Sequence, residues 1–191
     1  MTEPNPRVAV PAKQRIRQAF DQAASTYDAA ADVQREVCDR LGTYLTESGI
    51  NLAPAAILDA GCGTGYGVRW LAQRWLQARL VLIDFAPGML ATARARCVGA
   101  ELICADIEAL PVRERSFDLY WSSLAWQWNN PWRCLAESKR VLKPGGALAV
   151  ATLGANNFPE LRQAFAEVDD YNHVLTIPAP EQLLEDCQAD G

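Results

Sequence analysis

Histidine is nearly missing from this chain: His173 is the only one in 191 residues, and it has no partner at metal-ligand spacing. No metal site is expected, and the commonest general base near neutral pH has one place at most. Cysteine pairs are absent too. Cys38, Cys62, Cys97, Cys104, Cys134 and Cys187 include no CxxC, so they read as reduced, mostly buried thiols. No apolar run approaches the roughly 18 residues of a membrane helix. The opening MTEPNPRVAVPAKQRIRQAF lacks the long apolar centre of a secretory signal. The expectation is a cytoplasmic protein with no membrane partner. Positive charge is in short supply, 18 Lys and Arg against 23 Asp and Glu, and the net charge of -5 argues against general nucleic-acid binding. Residues 1–19 reverse the sign, with Arg7, Lys13, Arg15 and Arg17 against Glu3. That stretch is either a solvated helix face or a basic arm for an acidic partner.

What is present is a chain half hydrophobic, enough for one globular domain with a real core. Residues 12–48 carry apolar positions at three- and four-residue steps (Val33, Val37, Leu41, Tyr44, Leu45), which predicts two helices. After Pro54 the pattern alternates. AAILDA, RLVLIDFA, AELICADI, FDLYWS and ALAVATL read as strands; YGVRWLAQRWLQ, PGMLATARARC and PWRCLAESKRVL read as the helices between them, with LKPGG as a turn. Such alternation predicts a parallel sheet covered on both faces, with ligands at the carboxyl ends of its strands. FPELRQAFAEV and EQLLEDCQADG add helical character at the end.

The densest signal is ILDAGCGTGYG, residues 57–67. Several glycines in one strand-to-helix turn mean a ligand lies against bare backbone. The spacing is DxGxGxG from Asp59 through Gly61, Gly63 and Gly65, which fails the GxGxxG pattern of a dinucleotide site. Asp84 closes the second strand about 20 residues past the loop, where a carboxylate can accept both hydroxyls of a ribose. Asp106 closes the third, where a carboxylate with the Ile107 backbone can face the amino edge of an adenine. No Lys or Arg cluster near the loop offers to neutralise phosphates, so the expected ligand is a nucleoside without a phosphate chain.

The order ILDAGCGTG, VLIDFAPGML, CADIEALP, FDLYWSSLAWQW, VLKPGGALAV resembles the class I S-adenosylmethionine-dependent methyltransferases over roughly residues 57–153. The resemblance implies a Rossmann-like α/β fold and S-adenosylmethionine as methyl donor. Asp59, Gly61, Gly63 and Gly65 would meet its methionine part, Asp84 its ribose, and Asp106 with Ile107 its adenine, with Met89 on the adenine face. A single domain over 1–191 follows, with a helical cap (1–50), a cofactor-binding core (51–153) and a substrate-side segment (154–191). Class I members close the sheet with two further strands, the last antiparallel, and this chain ends before either. The expectation is a truncated form whose exposed sheet edge brings low stability, association or failure to turn over substrate.

Methyl transfer from a sulfonium is an in-line displacement, so the acceptor decides what else is needed. Carbon and phenol acceptors require a base, whereas a carboxylate is already ionised at neutral pH, and the shortage of histidine favours the latter. AFDQAASTYDAAADVQ, DIEALP, SSLAWQW and FPELRQAFAEVDDYNH together resemble the malonyl-[acyl-carrier protein] O-methyltransferases of biotin synthesis, over nearly the whole chain. This implies methylation of the free carboxylate of a malonyl thioester carried by acyl-carrier protein or coenzyme A. Tyr27, Gln127 and Trp128 are then the candidate catalytic residues: a hydroxyl donor from the cap, a carbonyl holder and a channel wall. Trp121 and Trp126 read as packing. His173 would orient the malonyl group; HVLTIP lacks the Arg that the family carries after this His, which leaves Arg17 as the candidate clamp. Lys13 and Arg15 would meet the acidic carrier protein. Two other classes stay open: a small-molecule C- or O-methyltransferase of the quinone-biosynthesis type, which shares the FDxxAxxYD cap, and a noncatalytic cofactor-binding protein.

Overall fold

In the computed structural model the described residues are 13–168, with 178, 179, 181–183 and 185. His173 and Cys187 lie outside them. The chain divides into two compact units, Arg17–Thr152 and Met1–Ile16 with Leu153–Gly191. Two cap helices come first, α1 (Lys13–Ala23) and α2 (Asp32–Glu47), joined through a single 3-10 turn at Tyr27–Ala29. Then β1 (Ala56–Ala60), α3 (Tyr66–Arg74), β2 (Arg79–Asp84), α4 (Pro87–Arg96), β3 (Glu101–Cys104), β4 (Phe117–Ser123), α5 (Pro131–Val141) and β5 (Leu142–Ala151) alternate as predicted. In the other unit, α6 (Pro159–Ala166) covers most of the predicted FPELRQAFAEV helix.

The five strands are all parallel, in the order β3-β2-β1-β4-β5. β1 is central and buried at every residue, which is why its sequence is an unbroken apolar run up to Asp59. The order reverses between β1 and β4, so their carboxyl ends open a crevice at the switch point. Two core clusters share one sheet face, since Ile57 stands opposite Leu80 and Leu82 follows two residues on. Ile57, Leu119, Trp121 and Ala149 pack with Cys38 and Leu45 of α2 and Leu71 of α3, whereas Leu82 packs with Val68, Leu90, Ala93 and Cys97. Gly42 inside α2 has a packing reason: a Cβ there would lie 2.5 Å from the Trp70 ring, which itself stacks on Trp121 at 5.4 Å.

Two boundaries differ from expectation. LKPGG is not a free turn but the first part of β5, where the register against β4 jumps from Phe117↔Leu142 to Leu119↔Ala147. Pro144 has no N–H for the ladder and Gly145 takes φ +76°, so the chain bulges out and returns. β3 ends at Cys104, two residues before Asp106, because its ladder with β2 ends at Asp84↔Cys104.

Candidate active site

A cavity opens at the carboxyl ends of β1, β2 and β4 and is roofed by the cap. Its lining includes Phe20, Tyr27, Gln34, Arg35 and Cys38 from the cap, Asp59, Gly61, Cys62, Gly63 and Thr64 from the end of β1 and the glycine turn, and Asp84, Phe85 and Met89 from the end of β2 onward. Asp106 and Ile107 follow β3, and Ser123, Leu124, Ala125, Trp128 and Asn129 follow β4.

The glycines serve different ends. Gly61 stands at φ +79°, and a Cβ on it would lie 2.2 Å from the Ala125 Cβ, so the turns after β1 and β4 touch only because it is glycine. Gly63, at φ +54°, has nothing within 4 Å of its Cβ position and lines the cavity. That is the bare backbone expected for a ligand. Gly65 caps α3 and faces Cys97 rather than the cavity. The turn is held from outside: Gly61 N and Cys62 N donate to Ile83 O, and Gly63 N donates to Asp84 Oδ2 at 2.9 Å.

The cap is fastened to this turn by its FDxxAxxYD residues. Phe20 meets the rings of Tyr27, Phe85 and Trp128 at centroid distances of 6.2, 6.2 and 5.7 Å. Asp21 Oδ1 accepts from Gly88 N at 2.7 Å, capping α4, which has no side-chain cap of its own. Ala24 packs with Ala86 and Met89. Asp28 accepts from Thr64 Oγ1 at 2.7 Å and pairs with Arg96, tying the cap to the glycine turn and to the end of α4. Burial works against the Asp28 charge, but Thr64 and Arg96 outweigh it and hold its carboxyl below the usual range.

The other acids are driven upward. Asp59 is 2% exposed, and burial, with the Asp84 charge, pushes it up to about 7. Its Oδ2 has no hydrogen-bond partner among the described residues. Asp84 is raised chiefly by burial, even though Gly63 N and Ala86 N each donate to its carboxylate. Burial and the neighbouring Asp84 and Asp28 charges raise the Tyr27 phenol, which therefore stays protonated and acts as a donor. Burial pushes the Cys38 thiol up to about 12.

Of the expected residues, the cavity brings together Tyr27, Asp59, Gly61, Gly63, Asp84, Met89, Asp106, Ile107 and Trp128. Gln127 is not in its lining: Nε2 donates to Leu124 O at 2.7 Å and Oε1 accepts from Thr152, so the amide braces the turn after β4. Arg17 is exposed and 4.0 Å from Asp21, also outside the lining. Lys13 and Arg15 lie on α1, Arg15 exposed. Trp121 and Trp126 are buried; Trp121 packs within the core and also lines the cavity. Sequence reasoning missed Asp21, Asp28, Arg35 and Thr64. The FDxxAxxYD spacing held the signal for the two acids, since Asp21 and Asp28 stand one on each side of the chain reversal after α1. For Arg35, on the polar-looking side of α2, nothing local distinguished it.

Among the described residues no group of three potential metal ligands occurs, and no helix is long and apolar enough to cross a membrane. Residues 58–150 match the family described as methyltransferase domain. The chain is 46% identical over 175 residues to the malonyl-[acyl-carrier protein] O-methyltransferase of Dechloromonas aromatica, covering 92% of this chain and 64% of that protein. It is 39% identical to the Pseudescherichia vulneris protein of the same name over 178 residues, covering 93% and 68%. The chain thus spans less than two thirds of the Dechloromonas relative. Among solved structures, the [4+2]-cyclase SpnF matches with a TM-score of 0.72 and 25% identity, over 97% of this chain and 75% of that one. The fold is therefore the Rossmann-like fold of class I methyltransferases.

Proposed function

This chain belongs to the malonyl-[acyl-carrier protein] O-methyltransferase family, and from that premise we propose that it methylates the free carboxylate of a malonyl thioester for biotin synthesis. The observation that carries this reading is the wall on the β4 side of the cavity. Ser123, Leu124, Ala125, Trp128 and Asn129 form it, and none of these titrates near neutral pH. A carboxylate acceptor needs no base there, whereas a carbon acceptor would.

The residues fit S-adenosylmethionine as donor: Gly63 presents open backbone, Asp59 Oδ2 is buried without a partner, and Asp84 and Asp106 follow successive strands of the same crevice. When bound, this group supplies an electrophilic methyl on a sulfonium. Asp84 would hold the ribose hydroxyls, Asp106 and the Ile107 backbone the adenine edge, with Met89 against the ring face. Glu108 keeps that loop in place, since its Oε1 accepts from Asn130 N at 2.7 Å. Tyr27 donates a hydrogen bond to a carboxylate from the cap. The ring group of Phe20, Tyr27, Phe85 and Trp128 excludes water, which favours attack by a poorly solvated carboxylate.

Acyl-carrier protein is the preferred carrier over coenzyme A, because Lys13, Arg15 and Arg17 suit an acidic protein surface. His173 and Arg17 are the remaining candidates for orienting the malonyl group. The test is mass spectrometry of malonyl-acyl-carrier protein after incubation with S-adenosylmethionine and this chain. The expected result is one methyl on the malonyl carboxylate; S-adenosylhomocysteine binding without methylation of any malonyl thioester would refute the reading.

A further inference from the structure

Among the described residues three other than glycine take positive φ, Arg115, Leu124 and Phe158, and of these only Leu124 lines the cavity. It stands at φ +52° directly after β4, where its Cβ is crowded by its own backbone and where glycine or asparagine would sit at less cost. The surroundings hold it there. Leu124 N–H donates to Ala151 O at 2.8 Å, and Leu124 O accepts from Gln127 Nε2 at 2.7 Å. The Gln127 amide is fixed in turn by Thr152 Oγ1, which donates to its Oε1 at 3.3 Å. With both backbone polar groups of Leu124 committed, what it offers a ligand is an isobutyl group.

The rest of the same wall is already engaged. Ser123 shares a hydrogen bond with the Cys38 thiol, and Asn129 Nδ2 donates to Ala125 O at 2.8 Å. The Trp128 ring meets Phe20 edge to face at 5.7 Å. Ala125 abuts Gly61, which sets this wall against the glycine turn that fits the methyl donor. That leaves the Leu124 side chain to set how far the wall stands from an acceptor. Backbone in a sparsely populated conformation persists where the surroundings over-determine it, and such places cluster at binding sites.

We propose that Leu124 sets the length of the acyl chain the site accepts, admitting a malonyl thioester and rejecting the succinyl thioester one methylene longer, with Gln127 as its positioning residue. The assignment rests on the malonyl thioester as acceptor. An apolar group there also keeps water from the attacking carboxylate. A fixed wall discriminates one methylene by about ten- to two-hundredfold, whereas a wall on a slack turn would yield.

The test compares kcat/KM for malonyl-pantetheine and succinyl-pantetheine, with S-adenosylhomocysteine affinity measured by calorimetry beside it. The native chain is expected to prefer malonyl by at least about tenfold. Leu124→Ala and Leu124→Gly should bring the two acceptors within about threefold of each other and leave S-adenosylhomocysteine affinity within about twofold. The glycine variant meets no strain at positive φ, so it carries the comparison if the alanine variant fails to fold. Gln127→Ala, which frees the Leu124 carbonyl, should narrow the same ratio; an unchanged ratio there would overturn its positioning role. Absence of the preference in the native chain, or its survival in both Leu124 variants, would overturn the proposal. An equal fall with both acceptors would do so too, as would a loss of S-adenosylhomocysteine affinity that matches the loss of turnover and makes Leu124 a wall for the donor. A native chain that binds S-adenosylhomocysteine and methylates neither thioester would defeat the malonyl reading and this assignment together. That outcome is distinct from an active chain whose acceptor ratio Leu124 does not control.

Discussion

Asp59 is the residue whose chemistry is most altered by the fold. In the unfolded chain it titrates near 3.8, and burial beside Asp84 moves it to about 7. Between those values the native protein holds a proton that the unfolded chain has lost, so this group's contribution to stability declines as pH rises from about 4 to 7 and is flat above. A ligand ammonium requires the ionised acid. S-adenosylhomocysteine is therefore expected to bind up to about tenfold more tightly at pH 8 than at pH 6, with Asp59→Asn removing that dependence. Titrations giving one Kd at both pH values in the native protein would contradict it. The glycines make a second residue-scale prediction. Gly61→Ala forces a methyl to within 2.2 Å of the Ala125 Cβ and should abolish binding by displacing the turn after β4. Gly63→Ala, with nothing within 4 Å, should leave the protein folded and weaken nucleoside binding through the methyl it places toward the ligand. Thermal melts beside the titrations separate the two outcomes.

At the scale of elements, single carboxylates fasten one piece to another. Asp21 of α1 caps α4, and Gly88 permits the approach, since a Cβ there would stand 3.0 Å from Asp21 O. Asp21→Ala should cost about 0.5–2 kcal/mol, as loss of a helix cap does. The corresponding fall in Tm is roughly 2–4 °C per kcal/mol for a chain of this size. Asp118 does the same inside the sheet, where Oδ2 accepts from Ala55 N and Ala56 N and Oδ1 pairs with Lys143 at 2.8 Å. Burial opposes its charge, but Lys143 and the two amides prevail and hold its carboxyl below the usual value. Its contribution is present above about pH 4 and is lost as pH falls further. Asp118→Ala is expected to lower the Tm at pH 7 more than at pH 3; an equal loss at both would show that its charge contributes nothing.

At the scale of the whole molecule, charge is distributed against its own average. The net charge is -5, yet Lys13, Arg15 and Arg17 are clustered on one helix. If Lys13 and Arg15 meet an acidic carrier, replacing both with Glu should raise KM for malonyl-acyl-carrier protein, reduce its salt dependence, and leave malonyl-pantetheine turnover unchanged. An equal change with both acceptors would assign the cluster to the enzyme's own integrity.

The alternation of strands and helices from β1 to β5, and the acids after successive strands, were legible in the sequence because they are local. Strand order follows from parallel connections, and DxGxGxG marks a turn that only glycine permits. The bulge in β5 was not legible, because LKPGG reads as a turn until β4 is known to run beside it. Nor was the left-handed Leu124, at φ +52° on the cavity wall, where its N–H reaches Ala151 O. What the sequence determined by itself is the fold and the class of ligand, since each is read from the order of short local motifs along the chain. Only the tertiary structure decided which side chains meet that ligand. Arg35 faces the cavity and Gln127 does not because the cap's anchors and the packing after β4 orient them, and those contacts join residues 25 to 67 positions apart.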